Sequence, residues 1–99
     1  MLPAHVTIDG DDYLIGALPE DSEDDGNYHG ADQCIRLKPF MGQGYTRTVL
    51  LHELIHACYE HAGSPSEPLA EEQVALLVSR RLLPILRDNP ELVQYLTAK

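Results

Sequence analysis

The chain has 99 residues and a formal charge of −9, with only seven Lys and Arg. That length supports one domain of modest core and leaves no room for a separate substrate domain. A nucleic-acid surface is excluded as the expectation, because such affinity rests on clustered positive charge. No apolar run approaches the ~20 residues of a membrane span, and Met1 to His5 lack the basic and apolar regions of a secretory signal, so a cytoplasmic protein with no membrane partner is expected.

In chain order, Val6 and Ile8 alternate with polar neighbours, Asp9-Gly10 follows, and Tyr13-Leu14-Ile15 resumes the apolar pattern. Asp-Gly supplies the positive φ values of a tight turn, so residues 5–17 predict a hairpin. Residues 19–32 are acid-rich with few apolar side chains and read as a surface loop. Within it, Asp21-x-Glu23-x-Asp25-Gly26 falls in the register of a calcium loop. Glu23 and a final Asp32 depart from that motif, and helical flanks are not expected, so a solvated acidic loop is the reading preferred. Gln33 to Lys38 alternates again, with Ile35 and Leu37 on one face, and predicts a third strand.

A helix of about four turns follows, with Thr46 as its expected N-cap, since neither Gly nor Pro occurs between Tyr45 and Ala62. It contains His52-Glu53-Leu54-Ile55-His56. Residues four apart on a helix lie about 40° apart around its axis, so both imidazoles can reach one ion. Glu53 lies about 100° on from His52, where it can touch water at the ion instead of the ion itself. This is the layout of a zinc hydrolase, with His52 and His56 as metal ligands and Glu53 as general base. The bland alternative is a helix whose histidines are merely polar surface.

Gly63 to Pro68 breaks that helix. A second runs from about Leu69 to Arg87, with a broad apolar stripe and with Pro84 expected to kink or interrupt it. Asn89-Pro90 predicts the N-cap and first residue of a short terminal helix. Cys34 and Cys58 read as buried free thiols, with Cys58 rotated away from the histidines. A catalytic zinc needs a third protein ligand. Beyond the two histidines the candidates are Glu60, His61, Glu71 and Glu72. His61 points about 140° around the helix from His56, and the metzincin extension is absent, because Tyr59 and Ala62 stand where its Gly and third His would be. Glu71 and Glu72 open the second helix and are better placed. Helix-dipole compensation would also explain them.

At these residues the chain resembles the gluzincins, and among them small ImmA/IrrE-like and phage-encoded metallopeptidase-like proteins. The resemblance rests on Thr48 to Ala57, on the Glu-Glu pair and on Asp88-Asn89-Pro90, over roughly the C-terminal two thirds. It implies a minimal zincin-like α+β fold: a small antiparallel sheet of about three strands on two long helices, plus a short C-terminal helix. It implies Zn2+ as cofactor, and as third ligand the Glu of a Glu-x-x-Ala pattern, which Glu72 to Ala75 fit, with Leu76 where a polar residue would stand. It also implies peptide-bond hydrolysis, with a peptide or protein substrate extended along the Gln33 to Lys38 strand. The donor to the oxyanion is left open among Tyr13, Tyr28, His29, Tyr45 and His61. A non-catalytic zinc-binding structural or adaptor protein is the first rival, and an acidic protein that masks a basic partner the second.

Overall fold

A computed structural model describes all residues, Met1 to Lys99. Four strands, β1 (His5–Ile8), β2 (Asp11–Ala17), β3 (Gly26–His29) and β4 (Cys34–Leu37), precede three helices, α1 (Gln43–His61), α2 (Glu71–Asp88) and α3 (Pro90–Thr97). The fold is α+β, with the sheet packed against two long helices and a short one. No helix is long and apolar enough to cross a membrane.

The β1–β2 hairpin forms as Asp9-Gly10 predicts. Both turn residues have positive φ, 51° and 84°, which Gly adopts freely and Asp tolerates. The sheet nevertheless departs from the expected three antiparallel strands. Its order is β1-β2-β4-β3, and β2 pairs with β4 in parallel, Ile15 opposite Ile35. The connection from β2 to β4 carries the added strand, β3, which pairs antiparallel with β4, Tyr28 opposite Ile35. Residues 26–29, read as loop, therefore form an edge strand, and β4 is an interior strand hydrogen-bonded on both sides.

One face of the sheet supplies Val6, Ile8, Tyr13, Ile15, Ile35 and Leu37 to the core, and α1 lays Val49, Leu50, Leu54, Ala57 and Cys58 against them. The α1 positions recur at the four-residue spacing of a buried helical stripe. Close approach of β3 to α1 requires Gly26, because a Cβ there would stand 2.7 Å from Val49 Cγ1. The helix begins before Thr46. Its N-cap is Gly42, and the Thr46 hydroxyl donates back to the Gly42 carbonyl at 2.9 Å inside the first turn.

α2 continues through Pro84, so the proline does not interrupt it. Only Ile85 on it is fully buried, while Leu76 and Leu83 are exposed, so the broad stripe read from the sequence is only partly covered. Asn89 precedes Pro90 as expected, but its side chain serves the sheet. Its Oδ1 accepts from Thr7 N–H at 2.8 Å, and its Nδ2 donates to the carbonyls of Thr7 at 2.8 Å and Ile85 at 2.7 Å. The amide thus occupies the outer edge of β1 as a neighbouring strand would.

Candidate metal centre

The geometry of α1 sets the site. Val49, Glu53 and Ala57 follow one another at i, i+4 and i+8 on the buried stripe, so Glu53 occupies a position the pattern would give to an apolar residue. It is 6 % exposed, the one charged residue among the buried positions. Its neighbours His52 and His56 turn toward solvent, and their Nε2 atoms lie 3.1 Å apart. Ligand atoms of His52, Glu53 and His56 all fall within 4.8 Å of one another.

This donor set fits a divalent ion. Two imidazole nitrogens at Zn–N distances of about 2.0–2.1 Å with a tetrahedral angle stand about 3.3 Å apart, close to the spacing found. Burial of a carboxylate beside two exposed imidazoles is costly unless a cation or a proton-bearing ligand meets it. The cluster has the arrangement of a His-Glu-x-x-His metal site.

A cleft of about 680 Å³ opens over this cluster. α1 contributes His52, Glu53, Ile55, His56, Tyr59 and Glu60, and Gly26, Asn27 and Tyr28 of β3 face them. A smaller cavity of about 280 Å³ continues past Glu53 toward Tyr45 and Thr48, with Asp24 and Asp25 on its other side. The strand beside the site is therefore β3 and not the Gln33 to Lys38 strand, whose hydrogen-bonding edges β2 and β3 already occupy. One wall atom is unpaired: Asn27 Oδ1 is buried with no hydrogen-bond partner.

Behind the cleft runs a chain of polar contacts. Tyr28 stacks on Tyr13, ring centroids 5.8 Å apart, and its hydroxyl donates to the Tyr13 hydroxyl at 3.5 Å. Tyr13 lies 3.2 Å from His61 Nε2, and His61 Nδ1 lies 2.7 Å from Asp9 Oδ2. With Nδ1–H donated to Asp9, Nε2 accepts the Tyr13 hydroxyl proton. Both nitrogens of His61 are thereby engaged away from the cluster. Burial, then the hydrogen bond to Tyr13 and the Glu60 carboxylate, holds the Tyr28 hydroxyl far above the usual phenol range. Hydrogen bonding to Asp25 raises Tyr45.

Of the candidate oxyanion donors, Tyr28 and Tyr45 line the two cavities, while Tyr13, His29 and His61 line neither. Glu71 and Glu72 lie exposed in the first turn of α2, outside the three-residue cluster and the cleft lining. Cys58 is 1 % exposed, and burial pushes its thiol upward against the pull of Arg81. Glu60, weighed from the sequence as a third ligand, lines the cleft outside the three-residue cluster, whereas Tyr59 and Asp24 were not placed there by the sequence reading. The four-residue step from His56 to Glu60 continues the line of His52 and His56 along α1. Comparison with protein-family profiles, curated proteins and solved structures returned no match.

Proposed function

We propose that this protein is a zinc-dependent peptidase, in which His52, His56 and Glu72 hold the metal and Glu53 is the general base. The observation that carries the reading is Glu53, a buried carboxylate opening into a cleft beside two exposed imidazoles with facing nitrogens. A site that used metal only to brace two helices would have no use for that carboxylate. Glu72 is assigned on the Glu-x-x-Ala pattern and on its place in the helix packed against α1.

Bound zinc would polarise the substrate carbonyl and acidify water at the site. Glu53 takes the proton of that water as its oxygen adds to the carbonyl carbon, then delivers it to the departing amine nitrogen as the C–N bond breaks. The exposed edge of β3 suits an extended peptide, which would gain main-chain hydrogen bonds there. Tyr28 and Tyr45 are the hydroxyls placed along its path.

The test is Glu53→Gln, which keeps the side chain's shape but cannot accept a proton at neutral pH. Zinc-loaded wild type should cleave members of a broad peptide library. The variant should keep its zinc and fold while losing turnover by about 10²–10⁴-fold. Absence of cleavage by the wild type would replace this reading with that of a non-catalytic zinc protein, and equal cleavage by both proteins would remove Glu53 as general base.

A further inference from the structure

The two cavities are halves of one groove. They share Asp24, Gly26, His52 and Glu53, so the larger runs from the cluster toward Glu60 and Pro65 and the smaller runs the other way toward Tyr45 and Thr48. Glu53 sits at the junction, 94 % buried and aimed into both, with no ion-pair partner inside the fold.

The charged lining is of one sign. Asp24, Glu53 and Glu60 face the larger half, and Asp24, Asp25 and Glu53 the smaller. None of the chain's seven Lys and Arg lines either. A divalent ion at the centre would offset Glu53 and the charge of its ligands, but Glu60 at one end, Asp25 at the other and Asp24 along both halves would still meet whatever flanks the reacting bond. The Asp24 side chain is exposed and takes no part in an ion pair. Like-signed walls of low dielectric focus the field along a groove and favour ligands of opposite charge.

We infer that the groove selects basic peptide segments, with lysine or arginine on both sides of the bond presented to Glu53: Glu60 reads one side, Asp25 the other, and Asp24, which lines both halves, acts with each. This deepens the peptidase reading and rests on it. Asp24 and Glu60 act as specificity residues that touch the substrate's side chains, while Glu53 does the chemistry.

Binding tests the inference separately from turnover. Zinc-loaded Glu53→Gln is titrated, by fluorescence anisotropy, with labelled peptides of equal length that carry Lys and Arg, or Glu, at the same positions. The basic peptide should bind at least about tenfold tighter, the combined effect of two or three partly exposed ion pairs, and the margin should shrink as salt is raised. Adding Asp24→Asn and Glu60→Gln should remove the preference. Adding Glu20→Gln and Asp21→Asn, which alter exposed acids outside the groove by the same charge, should leave it intact. The inference is overturned if the two peptides bind alike, or if both double replacements reduce the preference equally, because then only net charge is being read. Should the basic preference hold while wild type cleaves nothing, the selection stands as a binding property and the hydrolase reading falls.

Discussion

The Nε2 atoms of His52 and His56 face each other across 3.1 Å. One cation between them would take both nitrogens as ligands, in place of the hydrogen bond that one can donate to the other, and would join the successive turns of α1. Purified protein should therefore take up one zinc per chain, and its unfolding midpoint should rise with metal and fall back on chelation. At free zinc one hundred times the dissociation constant, the gain is about 2.7 kcal/mol. His52→Ala and His56→Ala should each abolish the response in calorimetry.

Glu71 and Glu72 make separate predictions although they are neighbours. Loss of a protein ligand should weaken zinc binding severely, whereas loss of a carboxylate that only complements the helix dipole costs about 0.3–1 kcal/mol of stability. Zinc titrations of Glu72→Ala should show the first effect and those of Glu71→Ala the second. The reverse result would move the ligand to Glu71.

Tyr28 gives the alkaline limb of stability a defined sign. Its hydroxyl has an ordinary pKa of 10.0 and is raised in the folded protein by burial, by Tyr13 and by Glu60. Below pH 10.0 the hydroxyl is protonated in both states and its contribution is fully present. Above that value the unfolded chain ionises while the folded one resists, so stability is lost as pH rises toward the folded pKa. Tyr45 adds a loss of the same sign. Urea midpoints of the wild type should fall above pH 10.0, and those of Tyr28→Phe should fall less steeply.

Asn89→Ala should destabilise the fold by about 2–3 kcal/mol, since it strips partners from the N–H and carbonyl of Thr7 and from the carbonyl of Ile85. Asn89→Asp keeps the acceptor for Thr7 N–H but turns a carboxylate toward two carbonyls. It should therefore recover little of the loss in the same denaturation experiment.

The metal helix was readable because its evidence is local. Two histidines and a glutamate within five residues determine their own geometry once the segment is helical, and the hairpin was equally plain in Asp9-Gly10. β3 was missed for a physical reason. Gly26, Asn27, Tyr28 and His29 offer a single large apolar anchor, because an edge strand pressed against a helix needs little alternation and, at Gly26, no side chain at all. The parallel pairing of β2 with β4 leaves no mark on either strand's composition, since Ile15 and Ile35 would face the same core in antiparallel register too. Thr46 misled because a threonine hydroxyl bonds a carbonyl four residues back as readily as it caps a helix. The groove's acids lay in plain view at residues 24, 25 and 60, but only folding brings a loop and the end of a helix to opposite ends of one channel.

The amide of Asn89 also has a consequence for how copies of this chain meet. By filling the polar groups of Thr7, it leaves β3 as the uncapped rim of the sheet, and that rim borders the groove. Any self-association through added strands must then run along the groove itself. On the proposed peptidase reading, a peptide and a second copy of the chain would compete for one row of backbone groups, so a strand-paired assembly would cleave more slowly than the free protein.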